Sequence, residues 1–197
     1  MSDDFKRLEG IKIGYALCGS FCTFSKSIEQ LQRIISLGAD VTPVMSFNAA
    51  SMDTRFGKAE YFRNTLEDIT GRRLICTIED AEPVGPKKMF DVFVICPCTG
   101  NTLAKLAWGI IDTPVTMAAK SHIRNDRPVV IAPSTNDGLA GCAKNIGMLL
   151  NYKSYYFVPF GQDDSVKKPR SLVADFNELP ETVLAALDGK QYQPIII

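Results

Sequence analysis

Apolar residues in this chain come in two alternating rhythms: short unbroken runs, and repeats at three- and four-residue spacing, with small polar residues between them. Residues 11–17 read as a first strand. After Cys18, Gly19 and Ser20, the residues Ile28, Leu31, Ile34 and Ile35 share one face of a helix that Gly38 stops. Residues 41–45 predict a second strand, weakened by Pro43, then a helix over about 57–69 that ends before Gly71. A short third strand is predicted over 74–77. Val92, Phe93, Val94 and Ile95 form a fourth, the unbroken run of a strand buried on both faces, and Leu103, Leu106, Ala107 and Ile110 resume at helical spacing. Further helices are predicted over 115–122, 138–150 and 179–189, the last with proline at its start and glycine past its end. Further strands are predicted over 128–132 and 155–158, and residues 163–170 read as a solvated loop.

Strands alternating with helices predict an α/β fold, a three-layer sandwich around a doubly wound, mainly parallel sheet of flavodoxin-like or Rossmann-like type. The 197 residues, 46% hydrophobic, suffice for one well-formed core, so residues 1–197 are expected to form a single domain. Lysine plus arginine and aspartate plus glutamate balance at 22 each, without the positive excess that phosphate-backbone binding needs, so nucleic acid is not an expected partner. The amino terminus, residues 1–7, is polar, and no apolar stretch is long enough to span a membrane; a cytoplasmic protein is the expectation. In a reducing compartment the six cysteines stay thiols and imply no disulfide framework.

Four strand ends carry the same kind of loop. Gly19, Ser20 and Thr23 follow the first strand, Ser46 and Asn48 the second, Thr99, Gly100, Asn101 and Thr102 the fourth, and Ser134, Thr135 and Asn136 the fifth. Each residue taken singly is explained by helix capping. Their recurrence at the carboxyl ends of parallel strands, where such sheets bind ligands, points instead to a shared cleft. Gly19 allows close backbone approach, and the helix that follows offers free N–H groups suited to phosphate. The first loop lacks both the three spaced glycines of a dinucleotide fingerprint and the glycine-lysine-serine/threonine ending of a nucleoside-triphosphate loop. A mononucleotide such as FMN fits better than NAD or ATP.

Cys18 with Cys22 and Cys96 with Cys98 would approach one another if the first and fourth strands are neighbours. Neither spacing is a zinc-knuckle pattern, so these are read as buried thiols and no metal is assigned. His122, the only histidine, is read as a surface or capping residue. Lys105, Lys120, Arg124, Lys144, Lys167 and Arg170 are the candidate cations for an acidic ligand, with Lys168 beside the last pair.

The loops at Gly19, Ser46, Cys96 and Ser134, with Pro97–Thr102 running into residues 103–112 and with Ala132–Asn136, resemble the flavoprotein family that includes cysteine-type decarboxylases and flavin prenyltransferases. The resemblance covers about residues 10–150. It implies FMN, with Ser20, Thr23 and Ser46 near the phosphate, and Thr99 to Thr102 and Ser134 to Asn136 near the ring or ribityl chain. Within the family the pattern is nearest to the small subunits of dipicolinate synthases, which act during sporulation in oxidising a dihydro- or hydroxytetrahydrodipicolinate to dipicolinate. That implies a small dicarboxylate substrate, a partner (the A subunit of such a synthase) carrying an NAD(P) domain, a homo-oligomer, and residence in the mother-cell cytoplasm. Hydride then passes either to flavin on this chain or to nicotinamide on the partner, which would leave this chain with a binding or scaffolding role. A decarboxylase or prenyltransferase is the other enzyme class implied. However, residues 52–71 lack the histidine that the decarboxylases carry on the helix after the second strand, and Pro133–Asn136 lacks the methionine of the family's second motif.

Overall fold

The structure, a computed structural model, describes residues 6–197, so most of the polar amino-terminal segment discussed above lies outside the described residues. Five parallel strands form the body of the sheet: β1 (Lys12–Leu17), β2 (Asp40–Met45), β3 (Val92–Cys98), β4 (Val129–Thr135) and β5 (Tyr155–Phe157). Their order is β2-β1-β3-β4, with β5 on the far side of β4. The chain therefore winds outward in both directions from the β1/β3 boundary, and the crevice of a doubly wound sheet opens there. The α/β class and mainly parallel sheet expected from the sequence are what the fold shows.

Burial explains why these segments are strands. Every residue of β3 is buried, as are all of β1 except Lys12 and all of β4 except Thr135. Gly14 sits at the centre of β1 because a Cβ there would lie 2.5 Å from the Phe90 ring and 2.6 Å from that of Phe93, and those two rings stack with centroids 6.0 Å apart.

On one face lie α1 (Phe24–Ser36), entered through a 3-10 turn at Phe21–Thr23, and α8 (Leu179–Leu187). Between them in sequence come α2 (Phe47–Ser51), α3 (Ala59–Thr70) at the β2 edge, and α4 (Ile78–Ala81). The other face is covered by α5 (Gly100–Trp108), α6 (Pro114–Ile123) and α7 (Ala143–Asn151). Buried hydrogen bonds seat α1 on the sheet: Tyr15 donates to the Ser27 carbonyl at 2.9 Å, and the Ser27 hydroxyl donates to the Cys96 carbonyl at 2.5 Å.

Four expectations need correction. Residues 74–77 are not a strand: only Ile75 bridges to Val44, and Thr77 already caps α4. The helix expected from residue 138 begins at Ala143, because residues 137–142 are turns in which the Asp137 carbonyl accepts from the N–H groups of Ala140 and Cys142. His122 is neither surface nor cap: it is 1% exposed, packs near Phe90 and Phe93, and its Nε2–H donates to the Pro128 carbonyl at 3.0 Å.

The fourth correction matters most for the site. Residues 163–170 belong to a hairpin of β6 (Phe160–Asp164) and β7 (Lys168–Ala174), turned where the Asp164 carboxylate accepts from the N–H groups of Val166 and Lys167 at 3.0 and 2.8 Å. β7 runs antiparallel to the end of β4, pairing Val173 with Ser134 and Leu172 with Thr135. The hairpin thus extends the sheet past the carboxyl ends of the parallel strands.

Candidate functional site

That extension walls a cleft of about 1300 Å³. Its floor is the carboxyl ends of β1, β3 and β4. Of the residues predicted from the sequence, Gly19, Ser20, Thr23, Thr99, Gly100, Asn101, Ser134, Thr135 and Asn136 line it. Ser46, Asn48 and Thr102 are not among the lining residues. Ser46 accepts from the Ala49 N–H and caps α2, whereas Thr102 is buried and donates to Cys18 Sγ at 3.3 Å, tying the start of α5 to the end of β1. Asn48 stands exposed beside Gly19, whose added Cβ would come 3.8 Å from Asn48 Cβ.

The loops meet side chain to side chain. The Ser20 and Ser134 hydroxyls are 2.8 Å apart, bridging the ends of β1 and β4. Gly100 is required where the loops after β3 and β4 close together, since a Cβ there would fall 2.7 Å from both Thr135 Oγ1 and Asp137 Oδ1. Those two atoms share a 2.5 Å hydrogen bond.

Two threonines occupy cap positions in the cleft without capping. Thr23 precedes α1, but its hydroxyl donates to the Ser20 carbonyl at 2.8 Å; Thr99 precedes α5, and its hydroxyl lies 3.3 Å from that of Thr102. Elsewhere Ser46, Thr77 and Thr113 do cap their helices. At α1 the Phe24 N–H is taken by the Phe21 carbonyl of the 3-10 turn, so the open helical start is that turn, whose cap residue Ser20 makes no capping bond; with α5 after Thr99 it gives a pair of anion-favouring ends. Neutral hydroxyls and amides surround them, which matches the donor set expected for a mononucleotide phosphate and its polyol chain.

The four buried thiols do not offer reactive chemistry. Cys18, Cys96, Cys98 and Cys142 are buried, and burial pushes Cys18 up to about 11 and Cys96 up to about 12. Burial also raises Cys98 and Cys142, so these groups remain neutral thiols near neutrality. Cys22 is exposed at the cleft, with Sγ 3.9 Å from Ser20 Oγ. Among the described residues no three His, Cys, Asp or Glu side chains gather to hold a metal.

None of Lys105, Lys120, Arg124, Lys144, Lys167 and Arg170 lines the cleft; Lys105 is spent on Asp112 at 2.6 Å. The lining cations are Lys26 and Lys168, with Glu29, Gln30, Asp137, Asp163, Asp175 and Asn177 as further polar neighbours. One signal for part of this set was present in the sequence: Thr23, Lys26 and Gln30 fall at i, i+3 and i+7, a polar stripe continuing the first loop along α1. Of the residues that the hairpin contributes, Lys168 stood in the sequence among the cations available to an acidic ligand, whereas no local signal marks Gly161, Gln162 and Asp163.

Known proteins share this outline. The family model described as Flavoprotein matches residues 2–155. The chain belongs to the flavoprotein family. It is 46% identical over 190 residues to the B subunit of dipicolinate synthase from Bacillus subtilis strain 168, covering 96% of this chain and 95% of that one. The crystal structure of the dipicolinate synthase B subunit from Bacillus halodurans superposes with a TM-score of 0.89 at 44% identity, over 96% of this chain and 97% of that one. The FMN-dependent cysteine decarboxylase SpaF shares the fold, with a TM-score of 0.67 at 22% identity over 91% and 98% of the two chains. The match to the Bacillus subtilis protein includes the β6–β7 hairpin, which lies beyond the region of the family model.

Proposed function

We propose that this chain is the flavin-binding small subunit of a dipicolinate-forming oxidoreductase. The observation that carries the reading is the pair of uncapped helical starts, the 3-10 turn after Ser20 that leads into α1 and α5 after Thr99, opening into one cleft lined by Ser20, Asn101, Ser134 and Asn136. The 46% identity to the small component of a dipicolinate synthase supports the substrate class.

In this reading Ser20, Thr23 and the first N–H groups of the 3-10 turn, those of Phe21 and Cys22, hold the FMN phosphate, while Thr99, Asn101, Ser134 and Asn136 meet the ribityl chain and ring. Bound FMN supplies a two-electron acceptor for a substrate whose aromatisation to dipicolinate drives the reaction. The chain's own groups bind and orient. The Ser20–Ser134 contact fixes the width of the cleft, and with Cys18, Cys96, Cys98 and Cys142 buried, the hydroxyls and the exposed Cys22 thiol are what the ligand meets. The partner is the A subunit of a dipicolinate synthase, carrying an NAD(P) domain, and the site of action is the mother-cell cytoplasm of a sporulating bacterium. No helix among the described residues is long and apolar enough to cross a membrane. The chain forms a homo-oligomer; Phe47, Met52, Phe56 and Tyr61 stand exposed along α2, α3 and the loop between them, an apolar surface of the kind a second copy covers.

Decarboxylation is not favoured. The one histidine lies buried at the amino ends of β3 and β4, away from the cleft, and burial lowers its pKa to about 4.

A titration of the purified chain with FMN, followed by flavin fluorescence and visible absorption, tests the proposal. Saturable binding that weakens at least tenfold in a Ser20→Ala, Asn101→Ala double variant is the expected result. Absence of binding at high FMN overturns it and leaves an accessory chain whose partner performs the nicotinamide chemistry.

A further inference from the structure

The cleft has room for more than one ligand, and its walls divide chemically. Its volume of about 1300 Å³ exceeds the roughly 300–1,000 Å³ usual for a single small-molecule site. At the ends of β1, β3 and β4 the lining groups are hydroxyls and amides, and the carboxylate there, Asp137, accepts from Thr135. The other side is charged: Lys26 and Glu29 come from α1, Asp163 and Lys168 from the hairpin, and Asp175 from the segment after β7. Lys26 makes no ion pair within 4 Å among the described residues, whereas Lys168 is held by Asp163 at 2.6 Å.

On the same side lies an unmet hydrogen bond. Gln30 is 4% exposed; its Nε2 donates to Asn177 Oδ1 at 3.3 Å, and its Oε1 has no partner. Exchanging the two ends of both amides does not help, because it leaves an unsatisfied NH₂ where the carbonyl stood. A buried polar end without a partner is costly, and a polar ligand group arriving beside it removes that cost.

We propose that this charged half of the cleft is the substrate subsite, in which Lys26 of α1 and Lys168 of the hairpin take the two carboxylates of a cyclic dicarboxylate while a ring N–H or ring hydroxyl of the not yet aromatic substrate donates to Gln30 Oε1. The identity of the substrate rests on the function proposed above. The location of the subsite rests on the cleft itself.

The experiment titrates the full chain with dipicolinate by calorimetry, and separately with FMN by fluorescence. Lys26→Gln and Lys168→Gln each weaken dipicolinate binding about tenfold, as loss of a charge-assisted hydrogen bond requires, and leave FMN affinity unchanged. Asp163→Asn tightens dipicolinate by removing a competing carboxylate from Lys168. Picolinate, with one carboxylate, binds more weakly and responds to only one of the two lysine substitutions. Gln30→Leu raises the melting temperature and leaves dipicolinate affinity unchanged, because the aromatic diacid carries no ring donor near neutrality. Dipicolinate binding indifferent to both lysines overturns the subsite, as does loss of FMN affinity in the lysine variants. If the wild-type chain binds FMN but not dipicolinate, the subsite falls and the flavin reading stands. Lysine-dependent dipicolinate binding without FMN binding upholds the subsite and sinks the flavin reading.

Discussion

Two residues show how single positions decide the behaviour of this molecule. Gly100 opens α5 in a helical position where alanine is conformationally acceptable, so the only obstacle to a Cβ is the Thr135–Asp137 pair 2.7 Å away. Gly100→Ala is expected to cost about 1–3 kcal/mol in urea unfolding, the usual range for overpacking, and to weaken FMN binding by pushing the loops after β3 and β4 apart. His122 governs an acid-side loss of stability. Burial holds its pKa near 4 instead of the ordinary 6.5, so the unfolded chain binds the proton more readily than the folded one. Its contribution is complete above about pH 6.5 and is lost as pH falls towards 4. Between pH 6.5 and 5, before most carboxylates titrate, unfolding free energy should drop by about 1.5 kcal/mol. His122→Gln, which keeps a donor for the Pro128 carbonyl, should flatten that slope. The small polar residues at the strand ends were legible from sequence because each follows an apolar run directly. The place of His122 was not, because its neighbours Phe90 and Phe93 come from the start of another strand.

Among the elements, the parallel strands and the amphipathic helices α1, α3 and α8 could be read directly, since one face or both faces of each are buried in an unmistakable rhythm. The hairpin could not. β7 begins Lys-Pro-Arg with three exposed residues, and the tip of β6 is Gln-Asp-Asp, so neither strand advertises a core face. Its pairing with β4 joins residues about forty positions apart, which no local pattern encodes. Leu172 is the side chain that holds it down: buried in β7, it packs against the backbone at Gly138, where a Cβ would fall 2.6 Å from Leu172 Cγ. Leu172→Ala should cost about 2–3 kcal/mol, the lower part of the range for a buried leucine. Limited proteolysis should then cut between residues 161 and 170 while the parallel sheet keeps its circular dichroism.

For the whole molecule, the strand order around the β1/β3 boundary places the cleft; the alternation of strands and helices along the sequence implied a doubly wound sheet, and the structure supplies the adjacency of β1 and β3. The strand expected over residues 74–77 shrank to a single bridge, yet the topology was unaffected, because Ile75 lies on the β2 edge, away from the crevice. A ligand that binds only the folded chain stabilises all of it: FMN at a hundred times its dissociation constant should add about 2.7 kcal/mol. For a chain of this size that is a rise in Tm of roughly 5–10 °C, measurable by differential scanning fluorimetry and absent from the Ser20→Ala, Asn101→Ala variant.

β4 has a divided allegiance: its first three residues pair with β5 in the parallel sheet, and its last two pair with β7. The outer wall of the cleft is therefore joined to the body of the sheet along a seam only two residues long, at Ser134 and Thr135. A foreign hairpin grafted at that seam would change which acid is admitted without redesigning the loops after β1 and β3, making the protein a chassis with an exchangeable selector.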